Sequence, residues 1–419
     1  QPAAEENYTR HVDPKIGTGG HGHVFVGANV PFGMVQVGPT SIPQTWDWCS
    51  GYHASDSTVI GFSHTHLSGT GIGDLFDITV MPVVGEVTYA RGEENDPASG
   101  LWSYADRTRE ITKPGYYSVP LVRYGITAEL TATERVGLHR YTFPASDAAA
   151  VVFDLENGGC WDKATDTGFR FSDDSTRIAG WRCSTGWAKN QEVYFVAEFS
   201  KPAKGISYLQ PGEIDDSKMP RIAARYARVD FDTAEGEQVL VKVALSPVSI
   251  EGAKANLAAE LSGWDFDATA AAADKAWNDE LSKVKIETED ETSKRIFYTA
   301  LYHTMVAPSL FCDVNGDYRG ADGKVHENPG HDTYTTFSLW DTYRAAMPLM
   351  TVLHPERMPD IIQTMLHIAD EQGRLPVWHL WGNETDCMVG NPGIPVVADA
   401  IVKGIGGFDR EKAFETIRK

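Results

Sequence analysis

The chain has 419 residues and carries 37 lysines and arginines against 58 aspartates and glutamates, a formal net charge of −21 at pH 7. Such an acidic balance repels phosphate backbones and anionic membrane surfaces, which argues against nucleic acid as a partner. Hydrophobic residues make up 42% and charged residues 23%, as in soluble enzymes, and the length exceeds one ordinary core, so we expect two domains.

The first residues and the five cysteines bear on where the protein works. Residues 1–6 do not read as a signal peptide, and no apolar run reaches the roughly 18 residues of a membrane helix. We interpret the sequence as a mature chain whose signal peptide has been removed, and expect a secreted, periplasmic or cell-surface protein without a membrane span. The cysteines show no CxxC spacing, so a structural zinc site is not expected. Cys160 and Cys183 could form a disulfide if the protein is exported.

Residues 8 to about 250 have the pattern of an all-β domain. Short β-branched or aromatic segments are divided by Gly, Pro and Asp clusters, which predicts a large antiparallel sandwich. The predicted strands are 24–26, 33–37, 78–81, 116–119, 128–132, 137–143, 151–155, 193–199 and 239–245. No strand is followed by GxGxxG, so a nucleotide-binding Rossmann domain is not expected.

The pattern becomes helical at about residue 251. Residues 251–283 are rich in alanine and predict two helices, and further helices are predicted at 294–306, 339–351, 357–371, 395–402 and 410–418. Helices that alternate with polar loops, without strands to pair, fit a helical barrel or toroid. The last helix has no C-cap residue after it, and we expect the second domain to be incomplete in this sequence.

The stretch from Trp46 to Asp74 combines tryptophan, histidine, acids and glycine without a regular period, as expected of a functional loop. A Gly- and His-rich turn, residues 16–23, precedes it. HxH occurs at His21/His23 and again at His64/His66, a spacing that places two imidazoles on one face of a strand. A zinc hydrolase is therefore one hypothesis, but no third ligand is evident, and histidines that hydrogen-bond a polar ligand or the loop itself are favoured.

Two further clusters lie in the helical part. Asp341 and Arg344 stand three apart in Leu-Trp-Asp-Thr-Tyr-Arg, either as an ordinary intrahelical ion pair or as a carboxylate that binds sugar hydroxyls. A loop at 376–390 contains Trp378, Asn383, Glu384 and other polar residues. Acid and amide side chains beside aromatic faces are what a neutral polyol requires.

Six motifs together resemble glycoside hydrolase family 92, the calcium-dependent, exo-acting α-mannosidases. They are IGTGGHGH from Ile16, VPFGMVQ from Val30, WDWCSGYH from Trp46, GFSHTHLSGTG from Gly61, SLWDTYR from Ser338 and GNETDCM from Gly382. The resemblance implies an N-terminal antiparallel β-sandwich (1–250), a helical linker (251–285) and the first part of an (α/α)6 barrel (286–419). It implies calcium as cofactor and a mannose-containing glycan as partner.

The resemblance also implies roles for individual residues. Substrate-binding candidates are Trp46, Trp48, His21, His23, His64, His66, Asp341, Arg344, Asn383 and Glu384. The family inverts configuration, which needs a general acid and a general base, but the family's acid and base motifs do not occur before Lys419. We expect both carboxylates beyond this residue; Glu384 or Asp386 as a general acid within the chain is the alternative. The calcium ligands cannot be identified from the sequence.

Other functions are compatible with the same residues. A carbohydrate-binding protein without turnover would use the same tryptophans and acids. A mannosidase acting on phosphodiester-linked mannose is a second alternative. A glycoside phosphorylase, a third, shares a sandwich and a helical toroid and would need a basic pocket for phosphate, against which the net charge of −21 argues.

Overall fold

The computed structural model describes residues 6–170, 174–210 and 222–419. Residues 1–5 of the predicted first domain lie outside the described residues. The first part of the chain is built from strands: β1 (Gly38–Thr40), β2 (Thr58–Val59), β3 (Gly61–Ser63), β4 (Thr79–Val84), β5 (Ser103–Tyr104), β6 (Ile111–Lys113), β7 (Tyr116–Leu121), β8 (Ile126–Ala132), β9 (Val136–Phe143), β10 (Ser146–Asp154), β11 (Lys163–Arg170), β12 (Arg177–Thr185), β13 (Gln191–Phe199), β14 (Gly205–Leu209), β15 (Ile222–Ala223), β16 (Tyr226–Thr233) and β17 (Glu237–Ser246).

Two antiparallel sheets form the N-terminal domain. In the described residues one has six strands in the order β1-β3-β4-β10-β16-β14, and the other has nine in the order β15-β11-β12-β13-β17-β9-β8-β7-β6. Phe153 of β10 packs against Phe195 and Phe199 of β13 with ring centroids 6.0 and 6.1 Å apart, so the core lies between the sheets. The predicted antiparallel β-sandwich is confirmed.

Some predicted strands are wrong. Residues 24–26 and 33–36 do not form strands. In this described segment an isolated β-bridge pairs Ala28 with Val37. Phe32 has a φ of +57°, and a left-handed residue interrupts an extended chain. Conversely, β11, β12 and β16 were not predicted, because their polar residues and glycines obscure the alternation expected of strands.

The helical part contains α1 (Ile250–Glu260), α2 (Phe266–Leu281), α3 (Glu291–His303), α4 (Leu339–Thr342), α5 (Ala346–Leu353), α6 (Met358–Gln372), α7 (Gly393–Val402) and α8 (Arg410–Arg418). Capping residues fix several starts: the side chains of Ser249, Asp265, Asp290 and Asp409 accept hydrogen bonds from backbone amides of the first turn. α6 ends at Gly373, whose φ of +89° is typical of a C-cap glycine.

The helical part also contains strands, contrary to the prediction. They are β18 (Ser309–Leu310), β19 (Tyr318–Arg319), β20 (Val325–His326), β21 (Tyr334–Thr335), β22 (Phe337–Ser338), β23 (Trp378–Leu380) and β24 (Asn383–Glu384), and β22-β23-β24 form a small sheet. The single helix predicted at 339–351 is two helices, because the chain turns at Tyr343–Ala345 and restarts so that Pro348 falls in the first turn of α5, where its missing N–H is tolerated.

α1 and α2 lie against the sandwich. A cluster of buried side chains joins Val136 and Leu138 of β9 to Leu257 of α1 and Phe266 of α2. At the same junction, Arg135 donates to the backbone oxygen of Cys312 at 2.7 Å and pairs with Glu260 at 2.8 Å. The two parts therefore share buried apolar and polar contacts. No helix in the described ranges has the length and apolar character needed to cross a membrane.

Candidate active site

A cavity of about 270 Å³ lies where the sandwich meets the helical part. Its volume is just below the range for small-molecule sites, about 300–1,000 Å³, which fits a monosaccharide better than a long oligosaccharide. Both parts of the chain supply its walls, which consist of Leu67, Ser68, Gly69, Thr70, His303, Thr304, Val306, Ala307, Pro308, Thr336, Phe337, Ser338, Asp341, Thr342, Ala346, Met347, Met350 and Trp378.

Asp341 supplies the carboxylate of this cavity. It lies in the first turn of α4, where the hydroxyl of Ser338 donates to its Oδ2 at 2.6 Å. Its Oδ1 has no hydrogen-bond partner among the described residues. The predicted ion pair with Arg344 is not found between these two described side chains; instead the Arg344 guanidinium lies over the rings of Trp340 and Tyr343, at 4.7 and 4.9 Å. The carboxylate is thus oriented by a hydroxyl and left able to accept from a ligand.

Thr336 adds a strained backbone to the wall of the cavity. It connects β21 to β22 with a φ of +64°. A β-branched residue in the left-handed region is a rare outlier, and such strain is concentrated at functional sites. On one side, the neighbouring Thr335 is fully buried, and its hydroxyl accepts from the amide of Trp381 at 2.8 Å and bonds to His379 at 3.0 Å. The surrounding sheet therefore holds the strained peptide in place.

The hairpin between β12 and β13 holds an aromatic wall of the cavity. Trp187 in this turn packs edge-on against the cavity residue Trp378, with centroids 4.7 Å apart. The carboxylate of Asp74 accepts from the amides of Trp187 and Ala188 at 3.1 and 2.8 Å, and burial raises the pKa of Asp74 to about 6. Trp187 was not predicted as a site residue, because a tryptophan in a hairpin turn carries no signal of its distant partner.

A buried charge cluster lies beneath the loop that forms the sandwich side of the cavity. Arg182 is fully buried; it pairs with Asp77 at 2.7 Å and with Asp162. Asp77 also accepts from the hydroxyl of Thr65 at 2.7 Å and from the amide of Gln191 at 2.6 Å. Because every member would be expensive to leave unpaired, the cluster fixes the path of residues 65–77.

Trp46 and His21 are exposed next to this loop, and His23 is buried beside them. The residues Trp46–Trp48 form a short 3₁₀ helix. Asp47 Oδ1 is hydrogen bonded by His21 at 2.7 Å and by His23 at 3.1 Å, and the bond from His21 is the main reason that the pKa of Asp47 is lowered. Trp46 is 51% exposed, and its indole donates to the oxygen of Gly71 at 2.8 Å. This group adjoins Thr70 of the cavity but is not part of its lining.

Trp48 is placed differently from Trp46. Its ring stacks on His53 with centroids 4.3 Å apart, and its N–H donates to Asp56 at 2.7 Å. One ring face is therefore covered by protein, and Trp48 does not line the cavity. The prediction that both tryptophans line one pocket does not match this arrangement.

His64 and His66 are buried in the sandwich and do not line the cavity. A chain of hydrogen bonds runs from the Tyr141 hydroxyl through His139 and His64 to the backbone oxygen of Ile78. The Nε2 atoms of the two imidazoles are 2.8 Å apart. His66 donates to the oxygen of Gln36 at 2.8 Å. Burial lowers the pKa of His64 to about 3 and that of His66 to about 4. Both imidazoles are neutral core groups here, and they do not converge on a metal.

Asn383, Glu384 and Asp386 make structural contacts in the described residues. Asn383 hydrogen-bonds the backbone of Asn190 on the sandwich. The Glu384 carboxylate accepts from the amides of Val377, Trp378 and Asp386 at 2.9, 2.9 and 3.1 Å. Asp386 pairs with Arg374 at the surface. None of the three lines the cavity, so the geometry gives no support to Glu384 or Asp386 as a general acid.

Two clusters of side chains within the described residues could hold a metal: Glu280 with His354 and Glu356, and Asp322 with His326 and Glu371. In the first, Lys283 lies 2.7 Å from Glu280 and 3.3 Å from Glu356, so an ammonium group already neutralises these carboxylates.

The second cluster consists of one imidazole and two carboxylates, and Glu371 already accepts from the Ala321 amide and the Tyr318 hydroxyl. Calcium prefers six to eight oxygen ligands. Neither cluster fits calcium, and neither lines the cavity.

No disulfide is formed among the described residues by Cys49, Cys160, Cys183, Cys312 or Cys387. Cys160 lies beside Gly73, while Cys183 is on β12. Burial raises the pKa of the Cys49 thiol to about 12. Such a thiol is an inert buried group rather than a nucleophile.

Comparison with known proteins agrees with this architecture. The family model "Glycosyl hydrolase family 92 N-terminal domain" matches residues 11–246, and "Glycosyl hydrolase family 92 catalytic domain" matches residues 252–419. The fold is similar to a family GH92 α-mannosidase of Bacteroides thetaiotaomicron solved with mannoimidazole, at 38% identity, with a TM-score of 0.93 over 99% of this chain and 55% of that one.

Two other relatives extend the comparison. A family GH92 inverting mannosidase of the same organism is 28% identical, with a TM-score of 0.85, over 99% of this chain and 55% of that one. An uncharacterized secreted glycosidase of Arthroderma benhamiae is 25% identical over 99% of this chain and 52% of that protein. The chain thus spans about half the length of these relatives.

The chain is a β-sandwich joined to helices, with a ligand-sized cavity at their junction, and its family matches place it among the glycoside hydrolases. Within that class, the two family models cover most of the sequence. The chain belongs to glycosyl hydrolase family 92.

Proposed function

We propose that this chain forms the sugar-binding part of an exo-acting, inverting α-mannosidase. The enzyme releases terminal α-linked mannose, in α-1,2 or α-1,3 linkage, from N-glycan or mannan oligosaccharides outside the cytoplasm. The observation that carries the proposal is the cavity at the junction, where Asp341 offers an unpartnered carboxylate oxygen beside Thr70 and Trp378. The two similar structures compared above are both mannosidases, which supports the same assignment.

The chemistry of the cavity favours an uncharged sugar. A carboxylate accepts hydrogen bonds from hydroxyls, and an indole packs against the C–H face of a ring. No lysine or arginine is found among the described residues that line the cavity, so a phosphate group would meet Asp341 without a compensating cation. This supports a neutral mannoside over a phosphodiester-linked mannose, and hydrolysis over phosphorolysis.

The catalytic pair is assigned elsewhere. Inversion needs two carboxyl groups about 6.5–9.5 Å apart, and Asp341 is the sole carboxylate among the described residues of the cavity lining. We therefore assign Asp341 to hydroxyl binding. We place the general acid and base in the part of the family's length that this chain does not span.

Calcium and the domain limits belong to the same proposal. We propose that the complete enzyme requires calcium, as the family resemblance implies, and that neither Asp322–His326–Glu371 nor Glu280–His354–Glu356 supplies its ligands, because neither offers an oxygen cage. When bound, the ion would polarise sugar hydroxyls. We retain 1–250, 251–285 and 286–419 as the proposed domain, linker and partial barrel.

The test uses α-1,2- and α-1,3-mannobiose. The complete enzyme should release free mannose, initially as the β-anomer seen by NMR, and EDTA should abolish release until calcium is restored. Binding of mannobiose without release by the complete enzyme would instead identify a carbohydrate-binding protein. Release that depends on inorganic phosphate would identify a phosphorylase, and both results would overturn the proposal.

A further inference from the structure

His303 is the second titratable side chain in the cavity lining, after Asp341. It is the last residue of α3, and nothing in its helical context distinguishes it in the sequence. Its Nε2 is buried and has no hydrogen-bond partner in the described structure. The ring of the preceding Tyr302 lies 5.5 Å away and offers no replacement, since the Tyr302 hydroxyl is itself unpartnered.

The buried histidines of the described structure make a different arrangement. His64, His66 and His139 have their ring nitrogens engaged in the hydrogen bonds described above, and His379 bonds to the Thr335 hydroxyl at 3.0 Å. Buried polar groups in native proteins are nearly always paired, so an exception calls for a specific explanation. At His303 the nitrogen belongs to a residue of a ligand-sized cavity.

A second unpartnered histidine provides a contrast. The Nε2 of His331 also lacks a partner, but its Nδ1 bonds to the oxygen of Asp332 at 2.7 Å, and His331 does not line the cavity. The imidazole of His303 makes no hydrogen bond with any described residue. The difference makes His331 a suitable control position.

The protonation state of His303 defines what it can bind. Burial lowers the pKa of His303 to about 4, so near pH 7 its imidazole is neutral, with one nitrogen that donates and one that accepts. A neutral imidazole suits an uncharged hydroxyl and offers no charge to attract phosphate. Its chemistry thus complements that of Asp341, which only accepts.

We propose that His303 is a sugar-binding and specificity-determining residue of this cavity, whose imidazole hydrogen-bonds one hydroxyl of the hexose that Asp341 also contacts. The inference rests on the proposed function and adds a residue to it. A site that hydrogen-bonds a hydroxyl discriminates strongly against the analogue that lacks it. His303 therefore selects for the presence of one particular hydroxyl group.

Three variants of the complete enzyme test the proposal by titration with methyl α-mannoside. His303→Phe keeps an aromatic ring but removes both nitrogens, His303→Gln restores a donor and an acceptor, and His331→Phe is the matched control. We expect His303→Phe to raise Kd at least threefold, His303→Gln to recover part of the loss, and His331→Phe to bind as the wild type does. Thermal unfolding should show no loss of stability in His303→Phe, because a buried unpaired nitrogen is removed.

A deoxy series identifies the hydroxyl. Among the 2-, 3-, 4- and 6-deoxy methyl mannosides, one should lose affinity for the wild type and bind His303→Phe no more weakly than the parent sugar does. If the wild type binds methyl mannoside and His303→Phe binds it equally well, the role of His303 is wrong while the proposed function stands. If the wild type neither binds nor hydrolyses mannosides, the proposed function fails, and this inference with it.

Discussion

The side-chain amide of Asn383 forms a two-way hydrogen bond with the backbone of Asn190: it accepts from the Asn190 amide at 3.0 Å and donates to the Asn190 oxygen at 3.0 Å. This pair connects the helical part to the β12–β13 hairpin, the same turn that presses Trp187 against Trp378 of the cavity. The Asn383 side chain thus pairs with the Asn190 backbone through two hydrogen bonds, as a neighbouring strand would, and connects the two parts of the chain.

Removing the two hydrogen bonds between Asn383 and Asn190 should destabilise the protein. Asn383→Ala loses both bonds to Asn190, and we expect the free energy of unfolding to fall by about 1–3 kcal/mol. Asn383→Asp keeps the acceptor and loses the donor, so its effect should be intermediate. Urea unfolding followed by tryptophan fluorescence measures both. Two variants with the midpoint of the wild type would show that the pair contributes nothing to stability.

In the proposed function, Asp341 is the carboxylate that binds sugar hydroxyls. In the complete enzyme, Asp341→Ala should lower kcat/KM for mannobiose at least tenfold, equivalent to about 1.4 kcal/mol or more. Ser338→Ala is the matched control, because it removes the 2.6 Å hydrogen bond that orients the carboxylate but leaves the carboxylate itself. Its loss should be smaller. Near-wild-type kinetics for Asp341→Ala would exclude this residue from the substrate site.

Thr336 tests whether strain is maintained for function. Glycine adopts a φ of +64° without steric conflict, so we expect Thr336→Gly to leave thermal stability unchanged or raised while weakening methyl mannoside binding. Thr335→Gly, the neighbouring control, loses a buried hydroxyl that bonds to Trp381 and His379, and should lower stability by about 1 kcal/mol or more. A Thr336→Gly protein that binds sugar normally would separate the strain from the site.

His66 should make stability fall as the solution is acidified. Burial lowers its pKa from 6.5 to about 4, so between these values the unfolded chain binds a proton that the folded chain does not. Unfolding is favoured progressively as pH falls through this window, by about 3 kcal/mol at pH 4. His66→Gln, which cannot titrate, should therefore show a flatter dependence of Tm on pH between 6.5 and 4. An unchanged slope would mean that folding does not lower the pKa of His66.

The sequence could predict the order of the two architectures but not the burial of particular side chains. Strand patterns before residue 250 and helical patterns after it follow from local periodicity, which each segment carries by itself. Whether His64 faces a ligand or His139 depends on a partner 75 positions away. Asp341 was identified because an acid between aromatic residues is distinctive, whereas His303 resembles any helical histidine.

The short strands of the helical part were missed for a related reason. β22, β23 and β24 have two or three residues each, too few for a period to show. β22 pairs residues 337–338 with 378–379 of β23, which lie some 40 positions away in the sequence, and this pairing depends on the helices between them. Local patterns describe segments, and the cavity is made where distant segments meet.

The walls of the cavity come from both the Leu67–Thr70 loop and the helical elements around Asp341. A sugar bound there would therefore contact both parts of the chain at once. Occupancy should make the halves melt as one cooperative unit and slow hydrogen exchange in the β12–β13 hairpin. The contacts that bind the sugar would then also hold the two parts of the chain together, so that sugar binding stabilises the junction at which the sugar is bound.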